Sequence, residues 1–133
     1  MGRAISGILN YPTPASPQVL DSFAQGEDVS ITFALTSTAL PSTWVNVEFT
    51  LIPEGKGQSG RFTTSITAGG ILITGVSTTS PYTATVTVTL SHATTVQFGA
   101  GSASWQCEWV DSGNVSVLGA GEIGVTIPLV PIP

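Results

Sequence analysis

Charge is what this sequence lacks most. Only 8% of its 133 residues are Asp, Glu, Lys or Arg, against roughly a quarter in an ordinary soluble domain. Three basic residues, Arg3, Lys56 and Arg61, stand against eight acidic ones, for a formal net charge of −5. Capture of a nucleic acid needs clustered Lys and Arg that displace counterions. No such cluster can be assembled here, so no nucleic-acid partner is expected. The single cysteine, Cys107, has no mate for an internal disulfide. With the single histidine, His92, it falls short of the usual four-ligand zinc site. Long apolar runs are missing too: none approaches the ~20 residues of a membrane helix. The opening MGRAISGILNYPTP has a short apolar core broken by prolines, so no secretory signal is read in it. The expectation is a soluble chain with no membrane partner.

What is present is Ser, Thr, Gly and apolar residues, the latter 41% of the chain. A single domain of this size buries roughly two thirds of the surface it exposes when unfolded, enough for a core without disulfides. Period-two alternation recurs along the chain. In DVSITFAL the inward set is Val29, Ile31, Phe33 and Leu35. In WVNVEFTLI it is Val45, Val47, Phe49 and Leu51, with Trp44, Asn46, Glu48 and Thr50 on the other side. TATVTVTL, from Thr83 to Leu90, sets Ala84, Val86, Val88 and Leu90 against four threonines, so its second face carries only hydroxyls. RFTTSI, ILITGV, SASWQCEWV, NVSVL and EIGVTI complete a set of about eight strands spaced as in an all-β sandwich or barrel, and no segment has helical periodicity.

Turns punctuate these runs: PEGKGQSG from Pro53 to Gly60, AGG from Ala68 to Gly70, and DSGN from Asp111 to Asn114, where Gly113 is free to take positive φ. Gly119 and Gly121 mark a bulge near the last strand. Residues 1–25 read differently. Ile5, Ile8 and Leu9 precede Pro12, Pro14 and Pro17, whose spacing favours an extended path. The division expected is an extended arm over 1–25, a sandwich over 26–128 and a proline-rich tail over 129–133, with Pro128, Pro131 and Pro133 ending the sheet.

Motifs for chemistry are weak. His92 has no nucleophile elbow or orienting carboxylate beside it in sequence, and Cys107, between Trp105 and Trp109 on one strand face, reads as core. PEGKGQSGR departs from the phosphate-binding order, since Lys56 comes early and strands flank it. Glu27 and Asp28 point to opposite faces, which spoils an acid–base pair. Calcium through Asp111 with Asn114, or Glu27 with Asp28, lacks a ligand-rich loop. MGRAIS fits the loose myristoylation pattern at Gly2 and Ser6, and Asn114-Val115-Ser116 is a glycosylation sequon; both read as chance matches. The expectation is a non-enzyme with no catalytic residue, metal or cofactor.

The order of the pieces, QGEDVSITFAL, VNVEFTLI, GGILIT, TATVTVTLS, HATTVQFG and the closing hairpin SWQCEWVDSGNVSVLGAGEIGVTI, resembles the immunoglobulin-like β-sandwich domains of bacteriophage virion proteins. The resemblance covers roughly residues 25 to 127. Cys107 is inserted into the aromatic alternation of Trp105 and Trp109, and ALPSTW replaces the usual leucine-rich link. The resemblance implies an immunoglobulin-like antiparallel sandwich and a structural role in a virion. A capsid decoration or cement protein is favoured, with a tail or baseplate position as close competitor. Its partners would be the major capsid protein or other virion proteins and copies of itself, a trimer being favoured. Ile5, Ile8, Leu9 and Tyr11 of the arm, with Trp44, are the expected interface residues. The competing reading from another class is an extracellular adhesin or carbohydrate-binding module, with an exposed Trp44 stacking on a sugar.

Overall fold

The computed structural model describes residues 2–54 and 61–127. Nine strands are found among them: β1 (Arg3–Tyr11), β2 (Gln18–Ala24), β3 (Val29–Ser37), β4 (Asn46–Pro53), β5 (Phe62–Ser65), β6 (Ile71–Thr74), β7 (Tyr82–Leu90), β8 (Gly101–Asp111) and β9 (Asn114–Thr126). A 3-10 turn (Pro41–Thr43) and a four-residue helix, α1 (His92–Thr95), complete the elements. The strands form two sheets, ordered β1-β3-β7-β6 and β2-β9-β8-β4-β5. The run β3-β7-β6 against β9-β8-β4-β5 has the strand order of an immunoglobulin sandwich with one added edge strand. The fold is therefore the all-β, immunoglobulin-like sandwich expected, with nine strands in place of eight.

Alternation explains the core. Val29, Ile31, Phe33 and Leu35 on β3 and Val47, Phe49 and Leu51 on β4 are all at most 2% exposed, facing one another across the sandwich. Trp105 packs between them, its ring centroid 5.2 Å from Phe33 and 6.1 Å from Phe49. Its indole N–H donates to the Gln18 carbonyl at 3.2 Å, which satisfies a polar atom that burial would otherwise penalise by about 1–3 kcal/mol.

The N-terminal segment is not an arm. β1 pairs in parallel with β3 and β2 in parallel with β9, so the sandwich extends from Arg3 to Thr126 and is not purely antiparallel. The prolines of residues 12–17 break the run where the chain leaves one sheet for the other. Gln18 fastens the junction: its amide accepts from the Ile8 N–H at 2.9 Å and donates to the Ile8 carbonyl at 2.6 Å. Ile5, Leu9, Leu20 and Phe23 are buried. The arm reading fails because the prolines mark a single crossover: Ile5 and Leu9 turn to the core on one side of it, and Leu20 and Phe23, three apart across a bulge, do so on the other.

The phase before β4 also differs from expectation. The 3-10 turn ends at Thr43, so Trp44 and Val45 precede the strand and do not share its alternation. Trp44 is 6% exposed and Val45 75%, the reverse of the period-two reading. NVSVL and EIGVTI are one continuous strand, β9, with a bulge that sets Val117 and Gly119 opposite the consecutive residues Glu108 and Cys107. The added residue, Leu118, is fully buried. The DSGN turn is a two-residue hairpin connection, with Ser112 at φ 49° and Gly113 at φ 87°. Most of the turn read at Pro53 to Gly60, and the tail from Pro128, lie outside the described residues.

Candidate functional site

The five residues expected at an interface do not form one surface. Ile5 and Leu9 point inward on β1 and are core residues, 2% and 0% exposed. Tyr11 and Trp44 belong to an aromatic cluster that closes one end of the sandwich. Trp44 stacks on Trp109 with centroids 4.4 Å apart and planes at 14°, and Tyr11 meets Trp109 edge-on at 5.1 Å. The Trp44 indole N–H is buried and finds no acceptor among the described residues. Of the five, Ile8 alone stands out from the surface, 57% exposed on the outer face of β1.

The polar groups singled out in the sequence are engaged in holding the opposite end of the sandwich. Glu27 accepts from the Ala24 N–H at 2.6 Å and from Arg3 at 3.2 Å. The backbone hydrogen bond, and then Arg3, hold its carboxyl below the usual range against the opposing effect of burial. Asp28 accepts from the His92 backbone N–H at 2.7 Å, and the His92 ring Nδ1 donates to the Gly26 carbonyl. Thr95 donates its hydroxyl to the Glu27 carbonyl at 2.6 Å. These bonds tie α1 to the β2–β3 turn, and no Ser or Cys nucleophile takes part. Cys107 is fully buried, and burial pushes its thiol far up from the ordinary value. Among the described residues no three His, Cys, Asp or Glu come together to hold a metal ion, and no helix is long and apolar enough to cross a membrane.

The outer faces of the two sheets differ in charge. On the five-stranded sheet, Glu48 of β4 lies directly opposite Glu108 of β8, a like-charge pairing that destabilises a sheet. Glu122 pairs with Ser104 on the same face, where Asp21 of β2 is also exposed. A groove of about 430 Å³ crosses this face, lined by Thr50, Ile52, Arg61, Gln106 and Glu108 among others. It carries hydroxyls, an amide and one charge of each sign, but no nucleophile beside a base.

Every outward-facing strand position described on the four-stranded sheet is uncharged, and the nearest charges, Arg3 and Asp28, stand at one end of the face beside Ala4, Ser30 and Thr89. β3 contributes Ser30, Thr32, Ala34 and Thr36, and β7 contributes Thr83, Thr85, Thr87 and Thr89. Register puts Thr32 beside Thr87 and Thr36 beside Thr83. Ala4, Ser6 and Ile8 extend the plate along β1, and Leu72 and Thr74 along β6. Leu72 is 63% exposed, so an exposed aliphatic side chain stands at each rim. Sequence reading found the hydroxyl face of one strand. The matching uncharged set on β3 was visible in SITFALT, but neither its neighbourhood with β7 nor the role of Leu72 follows from spacing alone. No protein-family model matches this chain, and no curated protein matches it.

Proposed function

We propose that this chain is a non-enzymatic structural component of a virion, most specifically a phage capsid decoration or cement protein, with a tail or baseplate position as the alternative within that class. The reading joins the resemblance of the strand order to one structural observation, the uncharged outer face of the four-stranded sheet. Burying charge is expensive, whereas hydroxyls and methyls are desolvated at low cost when they meet partners of their own kind. A face of this composition suits repeated protein contact. Many copies, each burying a modest uncharged area, add up to a stabilised shell. The partners are then the major capsid protein, other virion proteins or further copies of this chain.

The extracellular carbohydrate-binding reading rested on Trp44 as a platform for a sugar ring. Trp44 is buried against Trp109, so that platform is not presented, and the virion reading is preferred. The test is a copy count. Particles from the source are banded on a density gradient and this chain is quantified against the major shell protein by mass spectrometry. Hundreds of copies in fixed ratio to the shell match a decoration protein. A few to tens of copies shift it to the tail, and absence from particles removes the virion reading.

A further inference from the structure

We infer that the uncharged outer face of the four-stranded sheet is a self-contact surface, through which two copies of this chain pack face to face about a two-fold axis. The inference rests on the reading of that face as the assembly surface and names its occupant. It also replaces the trimer expected from the sequence, because a contact of one face with the identical face closes after two copies.

Three observations select a second copy. The first is where the charge lies. Glu48, Glu108, Glu122 and Asp21 are all on the outer face of the five-stranded sheet, and among the described residues Arg61 alone opposes them there. Two copies meeting through that face would bring these carboxylates within a Debye length of their own counterparts, about 8 Å at physiological salt. Packing through the neutral face instead places the acidic faces on the outside of a four-sheet stack. At about 10 Å between packed sheets they stand about 30 Å apart, where screening removes most of the repulsion.

The second is hydrogen-bond chemistry. Each threonine hydroxyl is both donor and acceptor, so an array of Thr32, Thr36, Thr83, Thr85, Thr87 and Thr89 is complementary to itself in any orientation. A carboxylate or ammonium array is not. The methyl groups of the same residues, with Ile8 and Leu72 at the rims, supply the apolar contact.

The third is size. β1, β3 and β7 have nine residues each and β6 has four. With a rise of about 3.4 Å per residue and a strand spacing of about 4.8 Å, the face projects onto roughly 500 Å². Two such faces bury about 1,000 Å² together, just under the ~1,200 Å² at which stable specific interfaces begin and within the range of transient ones. The pairing is therefore reversible in solution and gains persistence where many copies are held together on a particle.

The test is sedimentation of the purified chain between about 10 μM and 1 mM, the range in which an interface of this size associates. It is run beside Ala34→Glu, which places a carboxylate at the centre of the neutral face, and Gln106→Glu, which adds one to the acidic face. Ala34 and its neighbours Thr32 and Thr36 are exposed on β3, so the fold is retained, and circular dichroism checks it. The expected result is a concentration-dependent dimer whose Kd rises at least tenfold in Ala34→Glu and is unchanged in Gln106→Glu. A chain that stays monomeric to 1 mM, or a dimer that Ala34→Glu leaves intact, overturns the self-contact. Incorporation of Ala34→Glu into particles separates the two readings. A monomeric wild type whose Ala34→Glu variant is lost from particles means that the face docks on another virion protein, which refutes self-pairing and keeps the assembly role. A variant incorporated normally removes the assembly role of the face itself.

Discussion

Cys107 and Glu27 show how environment decides what a reactive residue type does. The thiol is enclosed by the core, and burial holds it protonated, so it has neither the thiolate nor the access that reactivity needs. A thiol reagent is expected to leave the native protein unlabelled and to react only when denaturant opens the sandwich. Cys107→Ser buries a hydroxyl in an apolar site and is expected to lower stability by about 1–3 kcal/mol, read from the denaturation midpoint. Glu27 works the other way. Its folded carboxyl titrates below the ordinary value of 4.5 because the ionised form accepts from the Ala24 N–H and from Arg3. A depressed folded value means a contribution that is complete above pH 4.5 and fades as pH falls through the folded value. Glu27→Gln is expected to be less stable than wild type at pH 7 and to converge on it as pH drops below 4.5 and through the lowered folded value, in melts run across that range. Equal stability of the two proteins at neutral pH would contradict this account.

At the level of elements, the parallel docking of β2 on β9 depends on one missing side chain. A Cβ on Gly121 would lie 1.8 Å from the Gln18 carbonyl oxygen, which is backbone and has nowhere to go. Gly121→Ala therefore pushes β2 from its neighbour and strains the Trp105 bond to the same carbonyl. The expected loss is about 2–4 kcal/mol, with hydrogen-exchange protection falling first in residues 18–24. Gly99→Ala is the control, since nothing lies within 4 Å of its added methyl. The sequence analysis places a bulge at Gly119 and Gly121, and the register agrees at Gly119 but not at Gly121. The bulge sits a few residues earlier, at Val117 to Gly119, and Gly121 serves close approach between strands. A lone glycine in a strand signals one or the other, and only the neighbour across the gap distinguishes them.

For the molecule as a whole, residues 3–24 are part of the fold. Ile5, Leu9, Leu20 and Phe23 are each at most 4% exposed, and at about 1.5–3 kcal/mol per buried side chain they contribute roughly 6–12 kcal/mol together. That equals the entire net stability of a typical domain, about 5–15 kcal/mol. Deletion of residues 1–24 is expected to abolish the cooperative thermal transition and to expose dye-binding apolar surface, where an independent arm would leave the melting profile intact. Deletion also uncovers an edge of β3 and an edge of β9, so the truncated chain is expected to aggregate.

The class of fold was legible in the sequence alone. Alternation on β3, β4, β7 and β8 is a local property, because period two puts apolar residues on one side whatever the neighbours are. The same locality made the DSGN turn legible at Gly113, whose residue type is free to take positive φ, whereas the positive φ of Ser112 is imposed by the two-residue connection. Tertiary structure decided the rest. Whether Ile5 and Leu9 are surface or core depends on β1 finding β3, twenty-odd residues away. Trp44 is buried because the 3-10 turn shifts it onto Trp109, a phase change invisible to a repeat of two. The neutral face exists only because register sets the uncharged outer residues of β3 beside those of β7, while the carboxylates collect on the other sheet. Each strand records its own two sides, and which sides become neighbours is settled by pairing between residues far apart in the chain.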